Sequence, residues 1–325
     1  MIAAALAYPL ALLLLLALLR GVGERWWLTT VGLYLPTLLY ALPLPALAFL
    51  LWRRRARWLW LTQAVAAVVL IVPLGGFVLP PLPRAEASAT PVLRVLSYNV
   101  MHGYAGPERI VAEIDRFRPD VVLLEKLFAN QEPMERLLVE RYSHVSLSAG
   151  SVIASRYPFL SGYEPDVPLP EDLGARARFA QKVIATPMGP IAVYVFHPQS
   201  PRDGLMAVAR LKGGGVALVR TETEWRVRQV RRLAERARAE TIPVIVGGDS
   251  NLAHLSPLLR DELPGFHDAF REAGWGFGYT YPHNLLRWMR IDRILYKGPL
   301  RAVRFLRGDS TASDHVCVVA DLQRL

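Results

Sequence analysis

Polar side chains recur in this 325-residue chain where apolar runs stop. Asn99 closes Leu96-Ser97-Tyr98-Asn99, and His197 closes Val193-Tyr194-Val195-Phe196-His197. Asp249 and Asn251 follow Val244-Ile245-Val246-Gly247-Gly248, and Asp292 opens Ile291-Asp292-Arg293-Ile294-Leu295. Ser313-Asp314-His315 precedes the last apolar run. Carboxylates and amides offer the oxygen ligands that hard divalent cations take. Imidazoles and carboxylates beside them can move protons or hold a developing oxyanion. Each residue alone has a blander reading, because Asp after Gly-Gly is a common turn former. A lone His is also more often structural than catalytic. Their repeated placement at the ends of runs is what points to a site. Cys317, the single cysteine, excludes an internal disulfide or a cysteine-based zinc cluster and suits a small buried apolar position.

The elements that would carry these residues are short β-like runs at about 92–98, 120–124, 151–154, 190–197, 243–247, 291–296 and 315–321. Between them Ile110, Val111, Ile114 and Phe117 form one helical stripe, and Val227, Val230, Ala234 and Ala237 another. Interleaved strands and helices around one core predict a layered α/β or α+β domain over residues 92–325. Gly213-Gly214-Gly215 follows Lys212 but lacks the Gly-Lys-Ser/Thr of a nucleotide-phosphate loop, so it reads as a turn.

The chain is 52% hydrophobic, and nearly all of the excess lies before about residue 80. Ile2 to Leu19 is an unbroken apolar run with no basic residue before it, which favours a transmembrane helix over a cleaved signal peptide. Trp26 to Trp52 forms a second apolar stretch, interrupted by Pro36, Pro43 and Pro45, and about 58–79 forms a third. Each is long enough to cross about 30 Å of hydrocarbon. Arg53, Arg54, Arg55 and Arg57 between the second and third runs mark the cytoplasmic side. Residues 1–80 are thus expected to be a three-helix, multi-pass anchor in the cell membrane. Residues 81–91 read as a Pro- and Ala-rich linker, and the domain at 92–325 falls outside the cytoplasm. The net charge of +10 divides about equally between the first ninety residues and the rest. That suits an anionic substrate but falls short of a dense nucleic-acid-binding stripe.

Taken in order, the polar-ended segments resemble the endonuclease/exonuclease/phosphatase superfamily across about residues 92–325. The matching pieces are Leu96-Ser97-Tyr98-Asn99-Val100, Pro119-Asp120-Val121-Val122-Leu123-Leu124 and Ala154-Ser155-Arg156-Tyr157-Pro158. They continue through the strand ending at His197, Gly247-Gly248-Asp249-Ser250-Asn251, Arg290-Ile291-Asp292 and Ser313-Asp314-His315. The resemblance implies an α+β fold, a four-layer α/β/β/α sandwich, here preceded by three transmembrane helices. It also implies a phosphoesterase dependent on Mg²⁺ or Mn²⁺. By resemblance Asp314 ligates or orients the metal with support from Asn99, Asn251 donates to a phosphoryl oxygen, and Asp249 positions the nucleophilic water. His315, oriented by Asp292, contacts the phosphate or takes the water's proton. His197 is its counterpart, and the base duty stays open between Asp249 and His315. Arg156 lies in a matching segment with no role fixed. His197-Pro198-Gln199-Ser200-Pro201 resembles the His-Pro turn of membrane-bound members linked to glycopeptide resistance. An anchored site would face membrane lipids, so a lipid or lipid-linked phosphate is the expected substrate and nucleic acid the rival.

One departure matters. After Pro-Asp-Val-Val-Leu-Leu the family pattern is Gln-Glu, whose Glu is the main metal ligand, whereas here the pair is Glu125-Lys126. A one-residue shift on a strand points a side chain to the opposite face. Either a bulge brings Glu125 inward as a metal ligand, or Lys126 occupies the site and leaves an impaired, binding-only protein.

Overall fold

The computed structural model describes residues 2–79, 91–163, 178–282, 287–309 and 312–325. Twelve strands lie among them: β1 (Val92–Asn99), β2 (Val121–Glu125), β3 (His144–Ser148), β4 (Ser151–Ser155), β5 (Phe159–Tyr163), β6 (Phe179–Thr186), β7 (Gly189–Phe196), β8 (Val244–Asp249), β9 (His267–Asp268), β10 (Asp292–Lys297), β11 (Leu300–Arg307) and β12 (Val318–Arg324). They form two six-stranded sheets, ordered β11-β12-β1-β2-β4-β3 and β5-β6-β7-β8-β10-β9. The sheets face each other. Leu93, Val95, Val121 and Leu123 of the first share a buried core with Ile191, Val193, Val195, Ile245 and Ile294 of the second.

The outer faces carry helices. Leu96, Tyr98, Val122 and Leu124 alternate with the inter-sheet residues and pack on Ile110, Val111 and Ile114 of helix Pro107–Phe117. Tyr194, Val244 and Val246 do the same against Val230, Leu233, Ala234 and Ala237 of helix Gly215–Ala239. This is the expected four-layer order. Both expected helical stripes face the sheets, and the Gly213-Gly215 segment turns into the long helix with Gly214 at φ +80°. The strands that the sequence did not signal (β3, β5, β6, β9 and β11) lack runs of large apolar residues. Four of them are the sheet edges and β6 lies beside one, where such runs are not needed.

The N-terminal region differs from three plain rods. Helix Ile2–Gly21 and the segment Arg57–Leu74 are each long and apolar enough to cross a membrane. The stretch expected as a second span is instead a bent pair, Trp27–Tyr34 and Thr37–Arg53, turned by 103°. Pro36 accounts for the break, since it lacks an N–H and pushes Leu35 to extended backbone (φ −70°, ψ 141°). Ala5, Leu51 and Leu59 cluster at one end of these helices. Leu19, Leu33, Tyr34, Leu70 and Leu74 cluster at the other, together with Ala253 and Leu255 of the sandwich. The arginine-rich turn at 53–57 therefore lies at the end of the helices remote from the sandwich. Of the expected linker at 81–91, residues 81–90 lie outside the described residues.

Candidate active site

β1 runs parallel to β2, and β7 parallel to β8, so the carboxyl ends of these four strands converge at one end of the sandwich. Asn99, Glu125 and Asp249 end their strands there, and His197 follows the last residue of β7. β10 starts at the same end, where Asp292 lies directly opposite Asp249 in the antiparallel β8–β10 register. The two glycines before Asp249 are sterically required. A Cβ on Gly247 would strike Leu123 of the other sheet, and one on Gly248 would strike the Phe196 carbonyl. These contacts fix the height at which Asp249 leaves the strand.

The side chains interlock. Asn99 Nδ2 donates to Asp249 Oδ2 at 3.0 Å and lies 3.4 Å from His315 Nε2. His315 Nδ1 sits 3.1 and 3.0 Å from the two carboxylate oxygens of Asp292. Asp249 Oδ1 accepts from the Asn251 backbone N–H at 2.9 Å, and His197 Nε2 is 3.7 Å from Asp249 Oδ2. Ser313 Oγ donates to the Asn99 carbonyl, which pins the turn carrying Asp314 and His315. Asp249, Asp292 and His315 each present a potential ligand atom, all within 4.8 Å of one another.

The two imidazoles are tuned apart. Burial alone would depress His315, but Asp292, then Asp249 and Asp314, overcome this and push it up to about 9. Burial pulls His197 down to about 4, with Arg178, Lys126 and His315 adding to the fall and Asp249 opposing it. At neutral pH His315 is thus a cationic donor and His197 a neutral acceptor. Burial, with Asp292 and Asp249 nearby, raises Glu125 well above the usual carboxylate range.

Residues 96–315 match the Endonuclease/Exonuclease/phosphatase family. The chain belongs to this family. Solved structures repeat the fold at low identity. An endonuclease/exonuclease/phosphatase from Beutenbergia cavernae shares 20% identity over 72% of each chain with a TM-score of 0.54. The mannosyl-6-phosphatase of Bacteroides thetaiotaomicron shares 14% over 71% of this chain and 99% of its own, at 0.51. Sphingomyelinase C of Streptomyces griseocarneus shares 18% over 71% and 99%, at 0.50. No curated protein matches the chain.

Within this family the Glu125-Lys126 departure has a simple geometry. The β1–β2 register runs without a bulge to Asn99↔Glu125. Val121, Leu123 and Glu125 alternate onto the inter-sheet face, so Glu125 arrives inside with no extra residue. Ser97 Oγ donates to its Oε1 at 2.9 Å, and the Asp249 N–H lies 3.4 Å from Oε2. Lys126 follows with left-handed backbone (φ +62°), and its charge is felt at His197 and His102. The carboxylate is therefore buried beneath Asp249, while the ammonium stands near the mouth.

The other site residues divide clearly. Asp314 is half-buried, with Oδ1 3.9 Å from His315 Nε2. Asn251 takes φ +48° and donates from Nδ2 to the Pro198 carbonyl. Arg156 lies outside the site. It follows Ser155, which pairs with Val121 at the opposite end of β2 from Glu125, a strand's length of roughly 13 Å away. Sequence reasoning missed Ser97, whose i, i+2 spacing to Asn99 could have shown it. It also missed Tyr281, whose ring centroid is 4.6 Å from that of His315. Tyr34 of the N-terminal helices was missed too, although its hydroxyl donates to the Asn251 carbonyl at 2.7 Å. Nothing in the sequence links Tyr34 to Asn251.

Proposed function

We propose that this protein is a membrane-anchored, metal-dependent phosphoesterase that hydrolyses a phosphate ester of a lipid or lipid-linked carrier at the outer membrane face. The observation that carries the chemistry is the buried cluster of Asp249, Asp292 and His315 at converging strand ends. Glu125, Asp249 and Asp292 crowd three buried carboxyl groups around one imidazolium, an excess of acid that fits a divalent cation. In the proposed ligand set Glu125, Asn99 and Asp314 border that cluster. A bound Mg²⁺ or Mn²⁺ would offset phosphoryl charge.

The chain's own residues supply the rest. Asp249, held by the Asn99 amide and the Asn251 N–H, orients water and accepts its proton. His315, held as a cation by Asp292, donates to a phosphoryl oxygen. His197 stands on the other side of Asp249 as a neutral acceptor, and Asn251 can offer its second amide hydrogen to the phosphate.

Two features support the membrane reading. The helices near the N-terminus expose large apolar side chains such as Leu10, Leu14, Leu38, Leu42 and Leu61, as a lipid-facing surface would. The arginine turn and the sandwich lie at opposite ends of those helices, so the positive-inside bias favours an extracytosolic domain. Lys126 favours a second reading, in which a resident ammonium weakens metal binding and the cleft only binds ligands.

The test is turnover by the purified full chain of a phospholipid, a lipid-linked phosphate and an oligonucleotide, with Mg²⁺, Mn²⁺ or EDTA. Lipid-phosphate hydrolysis that EDTA abolishes is expected. Asp249→Asn and His315→Ala should each lower it about a hundredfold or more. Preference for the oligonucleotide with steep salt dependence would overturn the substrate, and metal-independent activity the mechanism.

A further inference from the structure

A second cavity, of about 540 Å³, lies away from the strand ends, between the first N-terminal turn and the outer face of the sandwich. Its walls are the turn Gly23–Arg25, the start of helix Trp27–Tyr34, helix Gly215–Ala239 and helix Pro257–Glu262. Glu24 lines it and is nine-tenths buried, yet among the described residues neither of its carboxylate oxygens has a partner at hydrogen-bond distance and angle, Ser256 being the nearest polar side chain that acts on it. Buried carboxylates left in this state are costly, so the group needs an explanation. Burial raises its pKa, and Ser256 and the charge of Arg226 only partly offset this. Arg226 itself is fully buried and has no ion pair among the described residues, where it donates to the Gln199 carbonyl and Thr223.

The rest of the lining is suited to an amphiphile at a water boundary. Trp26 and Trp27 flank Glu24 at the level where the apolar helices meet the sandwich, and tryptophan favours that depth in a bilayer. Arg220, Glu224 and Arg228 follow at one-turn spacing along the facing helix. Two ion pairs close the far wall, Arg25–Asp261 at 3.1 Å and Arg231–Glu262 at 2.8 Å. A buried acid beside aromatic rings suits an ammonium group, and exposed arginines lining the same cavity suit a phosphate.

We infer that this cavity binds the headgroup of an amine-bearing phospholipid, with Glu24 receiving the ammonium and Arg220 the phosphate. The inference rests on the membrane reading above, and it concerns a site separate from the hydrolytic one. A lipid held there would fill the seam between the N-terminal helices and helix Gly215–Ala239. It would thereby fix the sandwich against the bilayer surface.

The experiment uses the full chain in nanodiscs made with phosphatidylethanolamine, phosphatidylcholine or phosphatidylglycerol, and reads co-retained lipid by native mass spectrometry. Selective retention of phosphatidylethanolamine is expected, and Glu24→Gln should weaken it about tenfold, as for a lost charge-assisted hydrogen bond. Arg220→Gln, on the exposed rim, should also weaken it and keeps the test valid if the Glu24 variant misfolds. Free phosphoethanolamine should compete. Equal retention of all three lipids, or retention unchanged by both substitutions, overturns the inference and leaves Glu24 as a distant partner of Arg226. A chain that never enters nanodiscs would instead overturn the membrane reading, so the two failures are distinguishable.

Discussion

Tyr34→Phe tests whether the N-terminal helices are part of the active site or only a tether. The Tyr34 hydroxyl is buried and donates to the Asn251 carbonyl at 2.7 Å. Its backbone carbonyl accepts from Trp288 Nε1 at 3.1 Å, and the Arg226 guanidinium lies over its ring, so the residue is held at three points. Asn251 is in left-handed backbone with φ +48°, a conformation that needs outside support. The substitution removes one oxygen and leaves a buried carbonyl without its donor, a cost of about 1–3 kcal/mol. If that cost falls on the geometry that presents Asn251 and Asp249 to the phosphate, turnover drops between about fivefold and a hundredfold. Tyr8→Phe is the control, because it deletes a hydrogen bond within the same helices, to the Tyr40 carbonyl at 2.8 Å, and none to Asn251. Steady-state kinetics of both variants in nanodiscs, with kcat and KM separated, should show a fall in kcat for Tyr34→Phe alone. Equal turnover in the two variants and the parent would refute the coupling. An equal loss in both would reduce it to general destabilisation.

Three further outcomes are expected. Lys126→Glu replaces an ammonium near the mouth with a hard oxygen ligand and should tighten Mn²⁺ binding by tenfold or more, on the order of one charge reversal in a partly buried site; calorimetric titration checks it, and Glu125→Ala should abolish binding if Glu125 is a ligand. Glu222 is raised to about 7 by burial, with Asp203 adding to the rise and the Gly204 N–H opposing it. Its folded form holds the proton longer than its unfolded form, so stability falls as pH rises from the ordinary carboxyl range to about 7. Glu222→Gln should remove that slope and stabilise the protein above pH 7 by about 1–2 kcal/mol, read by unfolding across pH. A reporter fused after residue 325 should be active only outside the cytoplasm, and a cytoplasmic signal would reverse the proposed orientation.

Much of the fold was written locally. Apolar runs bounded by turn residues marked seven of the strands, and the two helical stripes marked the helices that cover the sheets, because period and burial are properties of short segments. The same holds for the residues that end those strands. Asn99, His197, Asp249, Asp292 and His315 were each visible as a polar group at the end of an apolar run, and a shared topology then had to bring them together. Glu125 was different, left open between a bulged inward ligand and displacement by Lys126, and only the structure places it inside. The offset from the family pattern had suggested a bulge that the regular β1–β2 register makes unnecessary. What the sequence alone could not decide depends on which ends of which elements meet. Arg156 sits in a matching segment yet lies at the far end of its sheet, because β4 runs antiparallel to β2. Pro36 marks an interruption of the second apolar stretch, but the 103° angle of the turn is visible only in the structure. The contact of Tyr34 with Asn251, and the isolation of Glu24 beside Trp26, join residues more than 200 positions apart or depend on a seam between distant segments. Neither leaves a local trace, since hydrogen bonding and burial across such a seam are set by the docking of whole elements.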